Sequence, residues 1–133
     1  MVDMWNRKMS TIFNCSWVAC LDESMSIWNN RWSCPGWVFC PRKPHPFGNE
    51  HHLICYGESG VMFKVDVVEG KERPKELPND PQNKRTIGLL VRLCSDLYHR
   101  GKVVILDSGF CVLEVIIELK KKGVYAGESF FLC

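Results

Sequence analysis

Short apolar runs alternate with polar segments along the chain, and this pattern predicts a mixed α/β protein. The runs predict strands at 16–21, 52–57, 61–68, 102–106 and 124–126. Glu58-Ser59-Gly60 separates the second run from the third, so these two strands should pair as an antiparallel hairpin. The run that ends at Leu106 is apolar at successive positions, which is typical of a buried parallel strand.

Two later segments have helical periodicity. Residues 86–99 place apolar side chains at 87, 90, 94 and 97, with Thr86 or Asn83 as the N-cap and Gly101 as the stop. Residues 110–122 predict an amphipathic helix that ends at three lysines and Gly123. Its inward side chains should be Leu113, Ile116, Ile117 and Leu119.

The remaining segments predict loops and connectors. Residues 28–48 combine three tryptophans with four prolines, which predicts an aromatic-rich loop with at most a short strand at 37–40. Residues 69–84 form a polar connector, and residues 1–15 form a flanking segment to which the pattern assigns no element. A chain of 133 residues is long enough for one domain with a moderate core.

Composition excludes some classes of protein. Apolar residues make up 46% and charged residues 24%, and no run reaches the roughly 18 apolar residues of a membrane helix. The N-terminus lacks the apolar core of a secretory signal. A net charge of +2 does not by itself imply a nucleic-acid partner. Several of the eight cysteines lie in apolar runs and none forms a C-x₂-C pair, so we expect reduced thiols in an intracellular protein.

Two aspartates carry the candidate chemistry. Asp22 follows the first predicted strand and Asp107 follows the strand at 102–106. Carboxylates at the ends of neighbouring strands can hold the divalent ions of a phosphoryl-transfer site. The alternative is that Asp22 is a turn or helix-cap residue and Asp107 caps the following helix. Glu114, Glu118 and Glu128 are weak candidates for a third ligand, and Glu23 should point to the opposite face of its strand.

Basic and aromatic residues follow Asp22 in the proline-rich loop. Arg31, Arg42 and Lys43 could contact DNA phosphates, with Trp28 or Trp32 beside a base or sugar. Alternatively, the tryptophans pack the loop onto the sheet and the charges are solvated. His51 and His52 are adjacent in a strand and should face opposite ways, which favours a structural role over a metal pair.

Several blocks of this sequence, in order, resemble those of piggyBac-type transposases. The first block is Leu21-Asp22-Glu23-Ser24-Met25, followed by Asn30-Arg31, Pro41-Arg42-Lys43-Pro44 and Gly48. Tyr56-Gly57-x-x-Gly60 and Val68-Glu69-Gly70-Lys71 continue the match, and Leu106-Asp107-Ser108-Gly109-Phe110 and Lys122-Gly123-Val124-Tyr125-Ala126 complete it. The similarity extends from about Met4 to Ala126.

The resemblance implies a DDE-type DNA transposase domain. Its fold would be α/β: a ribonuclease H-like mixed sheet of antiparallel hairpin strands and parallel crossover strands, with flanking helices, C-terminally incomplete. By position, Asp22 and Asp107 would be the first two catalytic, metal-binding aspartates, with Mg²⁺ or Mn²⁺ as the ion. Arg31, Arg42 and Lys43 would contact the DNA of transposon ends, and the protein would be nuclear.

The sequence departs from the family pattern in two places. Ser108 and Gly109 stand where the family typically has asparagine and an aromatic residue. The third aspartate of the family lies many tens of residues after the second, but only 26 residues follow Asp107. We therefore expect 1–133 to be a partial catalytic domain that is inactive alone. The alternatives are a domesticated, non-catalytic module that binds DNA or protein, and an element remnant that self-associates through an exposed sheet edge at 124–126.

Overall fold

The structure, a computed structural model, describes residues 1–14, 16–68 and 84–128. Nearly all of the predicted connector at 69–84 therefore lies outside the described residues. The helices are α1 (Val2–Ile12), α2 (Lys84–Leu93) and α3 (Leu113–Lys121), and a 3₁₀ helix (Cys94–Leu97) follows α2 directly. The strands are β1 (Val18–Ile27), β2 (Trp37–Phe39), β3 (Phe47–Tyr56), β4 (Met62–Val67), β5 (Lys102–Leu106) and β6 (Val124–Glu128).

These six strands form one mixed sheet. β3 pairs antiparallel with β1 on one side, while β2 and β4 share its other side. β5 runs parallel to β1, and β6 runs parallel to β5. The predicted hairpin of β3 and β4 and the predicted parallel strand β5 are confirmed. The antiparallel strands followed by parallel crossovers are the ribonuclease H-like arrangement that the sequence predicted.

The core lies on one face of this sheet, under the helices. Successive strand residues point to opposite faces, so Leu21, Ile54 and Leu106 are buried there together. Leu90 of α2 and Leu119 of α3 are fully buried against them. The other face, which we call the open face, carries Cys20 and Asp22 of β1, Cys55 of β3, and Val103 and Ile105 of β5. These side chains are half-buried or exposed.

Strand β1 is longer than the sequence predicted. The prediction ended it before Asp22, but it continues to Ile27 and pairs with β3 along its whole length from Ala19. Most residues after Leu21 are polar, and all are exposed except Glu23 and Met25, which are half-buried. Their pattern gave no apolar signal because backbone hydrogen bonds to β3, rather than burial, hold them in the strand.

The two predicted helices end or begin at other residues. The helix predicted over 86–99 stays α-helical only to Leu93 and then tightens into the 3₁₀ helix. α3 begins at Leu113, because a turn occupies the residues after Asp107. Leu113 and Ile117 are 68% and 46% exposed, so their predicted inward orientation is wrong. The buried residues of α3 are Val115 and Leu119.

Helix α1 occupies the segment to which the sequence analysis assigned no element. It packs along β4, and its residue Met9 is buried. The Asn6 side chain donates to the Val65 carbonyl oxygen (2.8 Å) and accepts from the Val65 N–H (2.9 Å). Asn6 of the helix thus satisfies the backbone hydrogen-bonding groups of Val65 on an edge strand. No helix in 1–14, 16–68 or 84–128 is long and apolar enough to cross a membrane.

Candidate metal centre and nucleic-acid surface

The parallel pairing of β1 with β5 brings Asp22 and Asp107 to neighbouring positions. Leu21 is the register partner of Leu106, and each aspartate is the next residue along the chain. Adjacent strands lie about 5 Å apart. β5 ends at Leu106 whereas β1 continues, so Asp22 borders a notch in the sheet rather than lying at a strand end as predicted. Asp107 does follow its strand directly, and both side chains are exposed.

Local structure does not explain either carboxylate as a cap. Val112 is the N-cap of α3 and makes no side-chain cap hydrogen bond, so Asp107 does not cap that helix. The carbonyl oxygen of Asp107 instead accepts the N–H groups of Phe110 (2.9 Å) and Cys111 (3.2 Å), which closes the turn. Asp22 lies within a strand, and its Oδ1 accepts the N–H of Glu23 (2.7 Å).

Asp22 points to the open face, beside two thiols. Cys20 lies two residues before it on the same strand face, and Cys55 is the register partner of Cys20. Burial raises the pKa of the Cys20 thiol, and the charge of Asp22 raises it further. Burial, Cys20 and Asp22 likewise raise the pKa of Cys55. The charge of Asp22 therefore disfavours the thiolate forms of both cysteines.

The two carboxylates suit a hard divalent ion. Mg²⁺ prefers oxygen ligands, keeps several waters and commonly uses one or two protein carboxylates together with substrate phosphates. Within the described ranges, no group of three or more histidine, cysteine, aspartate or glutamate side chains could hold a metal ion. The pair Asp22 and Asp107 is thus at most part of a coordination shell for such an ion.

The glutamates considered as third ligands lie elsewhere. Glu23 is held by Lys43 at 2.9 Å, and Glu118 by Lys121 at 3.2 Å. Glu128 ends β6 opposite Leu106, so it lies on the face of Leu106 rather than on the open face. Glu114 lies in the first turn of α3 and is exposed.

Lys43 links the proline-rich loop to β1. The hydrogen bond to Glu23 raises the pKa of Lys43; burial opposes this, and the charges of Glu23 and Asp22 add to the increase. The loop closes through the Cys40 N–H, which donates to the Pro46 carbonyl oxygen (2.7 Å). A cation predicted to contact DNA thus lies close enough to Asp22 to interact with its charge, and its ammonium group is engaged by Glu23.

The other predicted DNA contacts are more open. Arg42 is exposed. The guanidinium carbon of Arg31 lies 4.6 Å from the ring centroid of Trp32, which is 85% exposed. Asn30 Oδ1 accepts the Trp32 N–H (3.0 Å) and shapes this turn. A cation above an exposed indole is suited to a phosphate and a base.

The other two tryptophans of the loop have packing roles. Trp28 Nε1 donates to Ser33 Oγ (2.9 Å), and Trp37 Nε1 donates to the Trp28 carbonyl oxygen (2.8 Å). Trp37 also stacks on Phe47, with ring centroids 5.8 Å apart. Trp28 and Trp37 therefore help to order the segment, whereas Arg31 and Trp32 face solvent and their contact with DNA stays a prediction.

The two histidines behave as the structural interpretation predicted. His51 Nε2 lies 2.7 Å from Ser26 Oγ, and His52 Nε2 lies 3.1 Å from Glu50 Oε1. Burial lowers the pKa of His51, the neighbouring His52 lowers it further, and Glu50 opposes both. The His52 ring meets Phe110 edge-on at 5.5 Å and so packs against the turn that follows Asp107.

Asn49 is a residue that sequence reasoning missed. Its side chain is buried, and its Nδ2 lies 2.9 Å from the Pro35 carbonyl oxygen and 2.7 Å from that of Val68. It thereby ties the proline-rich loop to the end of β4. A polar residue directly after the predicted loop was the available signal, but its partners are 14 and 19 residues away and only the fold reveals them.

Comparison with known proteins identifies the family. A family model described as transposase IS4 matches residues 1–127. The chain belongs to this transposase family. No curated protein matches it significantly.

A solved structure confirms the fold of this transposase domain. The chain is similar to a cryo-EM structure of the piggyBac transposase synaptic complex with hairpin DNA, with a TM-score of 0.79 and 14% sequence identity. The match covers 95% of this chain and 25% of that chain, so the transposase domain spans a quarter of that protein's length. The resemblance to piggyBac-type transposases is thus confirmed at the level of the fold.

Proposed function

We propose that this transposase domain supplies two acidic ligands, Asp22 and Asp107, to a divalent-metal site for DNA strand cleavage and transfer. The observation that carries the proposal is the parallel register of Leu21 with Leu106, which makes two exposed carboxylates neighbours. When bound, Mg²⁺ or Mn²⁺ would neutralise charge on the attacking and leaving oxygens. The role of the protein's own side chains is to fix the position of that ion beside the notch.

In this proposal, DNA of a transposon end approaches the face where the proline-rich loop meets β1. Arg31 and Arg42 would bind phosphates, and Trp32 would stack on a base. Lys43 would position the loop through Glu23 and would compete with a metal ion for the charge of Asp22. A nuclear location would follow from the DNA partner.

Metal binding is tested by titrating Mn²⁺ into the isotopically labelled protein and recording amide NMR spectra. A paramagnetic ion at the notch should broaden the resonances of Asp22 and Asp107 together, although they are far apart in sequence. Asp22→Asn and Asp107→Asn should each abolish this selective broadening, while Asp3→Asn, at an exposed position on α1, should retain it. Broadening that survives Asp22→Asn would refute the assignment.

Cleavage is tested separately with supercoiled plasmid and Mg²⁺ or Mn²⁺. We propose that the 133-residue chain does not nick DNA alone, because its described residues offer two acidic ligands where the family uses three. Small displacements of reacting groups are costly in such chemistry. Nicking that is lost in Asp22→Asn would show instead that this chain holds a complete site.

A second candidate function is a non-catalytic DNA-binding module. Arg31 stacked on an exposed Trp32, with Arg42 on the same loop, favours it. Fluorescence anisotropy with labelled duplex should then show salt-sensitive binding. Arg31→Ala and Arg42→Ala should each weaken binding and reduce the slope of log K against log salt by about 1. Arg7→Ala, an exposed residue on α1, should have less effect. Equal loss of affinity in all three variants would indicate that DNA binding depends on overall positive charge rather than on the loop.

A further inference from the structure

We propose that Cys20 and Cys55 form a reversible cross-strand disulfide on the open face of the sheet. The two residues are register partners on β1 and β3, although 34 residues separate them in the sequence. Both are free thiols and both are half-buried, so a small oxidant can reach them. The proposal does not depend on the transposase function.

The hydrogen bonds of the β1–β3 ladder define the spacing of this pair. The Gly57 N–H donates to the Val18 carbonyl oxygen (3.0 Å), and the Trp28 N–H donates to that of Phe47 (3.2 Å). Hydrogen-bonded pairs alternate along an antiparallel ladder, so Cys20 and Cys55 also form one. Such pairs have Cα atoms about 5.5 Å apart, within the range that disulfides join. Their Cβ atoms are also about 5.5 Å apart, which is longer than the roughly 3.5–4.5 Å of an unstrained disulfide. The bond would therefore draw the two strands together and be strained, and strained disulfides are the readily reduced ones.

The side chains point the same way. Directly opposed residues of an antiparallel pair project from the same face of the sheet. Asp22 lies two residues beyond Cys20 on this face, so the bond would join β1 to β3 directly beside the carboxylate. The other described cysteines differ from this pair: Cys94 is fully buried, Cys34 and Cys40 lie on the proline-rich loop, and Cys111 follows the Asp107 turn.

The chemistry balances with a disulfide oxidant such as oxidised glutathione. One cysteine thiolate attacks a glutathione sulfur, which breaks that S–S bond and releases one glutathione thiolate. The second cysteine thiolate then attacks the mixed disulfide at the protein sulfur and releases the second glutathione. Two protein thiols are oxidised, one glutathione disulfide is reduced, and the two thiol protons pass through solvent to the released glutathione thiolates. Excess reduced glutathione reverses both steps.

The experiment equilibrates the full chain in glutathione buffers of increasing oxidising poise, blocks remaining thiols with N-ethylmaleimide, and maps tryptic peptides by mass spectrometry. Cys20 lies in the peptide 9–31 and Cys55 in the peptide 43–64. We expect these two peptides to become disulfide-linked as the buffer becomes more oxidising. Finding only glutathione adducts on them would overturn the proposal.

Matched variants identify the sulfur atoms, because the peptide 9–31 also contains Cys15. The link should disappear in Cys20→Ser and in Cys55→Ser and persist in Cys15→Ser. A link that persists in Cys20→Ser would overturn the assignment. Serine is nearly the size of cysteine, and a circular dichroism spectrum shows whether each variant is folded.

A melting measurement distinguishes a native bond from one formed in unfolded chains. Closing a loop of this length restricts the unfolded state, and strain at the hydrogen-bonded pair offsets only part of this gain, so the oxidised protein should still melt at a higher temperature than the reduced protein. Dithiothreitol should reverse the increase, and Cys55→Ser should not show it. An oxidised protein that melts at the same or a lower temperature would overturn the proposal.

Discussion

Gly48 shows how closely two strands approach within this sheet. A Cβ added at this position would lie 2.0 Å from the Ser26 carbonyl oxygen, which belongs to the backbone of β1 and cannot rotate away. We expect Gly48→Ala to destabilise the fold by about 3 kcal/mol, at the upper end of overpacking costs. Urea unfolding followed by tryptophan fluorescence measures the change.

Gly109 provides the matched control for this substitution. An added Cβ there would have no heavy atom within 4 Å, so Gly109→Ala should leave the unfolding midpoint nearly unchanged. Equal destabilisation by both variants would mean that the collision with the Ser26 carbonyl oxygen is not the cause, since reduced freedom of the unfolded chain would stabilise the fold instead. The Gly48 of the piggyBac-like block would then need another explanation.

Asp96 makes the stability of the molecule depend on pH. Burial acts to raise its pKa, but hydrogen bonds from Ser10 and Lys64 and the charges of Lys64 and Arg100 outweigh burial, so the pKa is lowered overall. A carboxyl with a lowered folded-state pKa stabilises the protein above the unfolded value of about 4, and this stabilisation is lost as pH falls through the folded-state pKa.

Asp96→Asn tests this dependence. The variant should be less stable than the wild type near pH 7 by about 1–3 kcal/mol, because Lys64, whose side chain is only 14% exposed, loses its ionic partner. Urea unfolding at several pH values should show the difference shrinking below pH 4. Asp107→Asn, at an exposed carboxylate outside this cluster, should follow the wild-type profile. A difference that is constant with pH would contradict the electrostatic cause.

Helix α1 is attached to the sheet by polar contacts as well as by packing. Asn6 makes two hydrogen bonds to the backbone of Val65, and Ser10 donates to Asp96 at 2.7 Å. Asn6→Ala should leave the Val65 N–H and carbonyl oxygen unsatisfied and destabilise the protein by about 1–3 kcal/mol.

Hydrogen exchange measures this effect at the level of the element. In Asn6→Ala, amide protection should fall in α1 and β4 more than in β5, which lies on the other side of β1. Asn29→Ala, at an exposed position outside both elements, serves as the control. Uniform loss of protection across all strands would argue that Asn6 stabilises the whole sheet rather than the attachment of α1.

Elements with a strong apolar pattern could be predicted from the sequence, and those held by backbone pairing could not. The run before Leu106 defined β5, and the lysines and Gly123 defined the end of α3, where Gly123 has a φ of 70°. The polar half of β1 lacked such a signal, because backbone pairing with Leu53 and its neighbours holds it in the strand. Helix α1 did carry one, since Val2, Trp5, Met9 and Ile12 recur at helical spacing, but the prediction overlooked it.

The candidate site likewise has features that the sequence predicts and features that only the fold shows. Two aspartates after apolar runs were visible in the sequence, and their proximity follows once β1 and β5 are parallel. The ion pair of Lys43 with Glu23 and the contact of His52 with Phe110 depend on how the loop and the Asp107 turn fold back, so no spacing predicts them. Glu128 was treated as following the last strand, but it is the last residue of β6.

At the scale of the whole molecule, the sheet ends in an open edge. β6 pairs with β5, and no strand among the described residues pairs with its other side. Tyr125, the second residue of this strand, is 58% exposed. An edge with free N–H and carbonyl groups and apolar side chains can pair with a second copy of the chain. The expectation of self-association, drawn from the sequence, therefore has a defined surface to be tested on.

Tyr125→Lys should weaken that self-association, because a charge on an edge strand disfavours pairing with another strand. Sedimentation velocity over a range of concentrations measures the effect as a shift toward monomer. Ile117→Lys introduces the same charge at a 46% exposed apolar residue of α3, away from the edge, and should shift the distribution less. Equal shifts would mean that general apolar exposure drives association. An unchanged distribution in Tyr125→Lys would rule out the β6 edge, and the open face beside Cys20 and Ile105 would become the surface to examine.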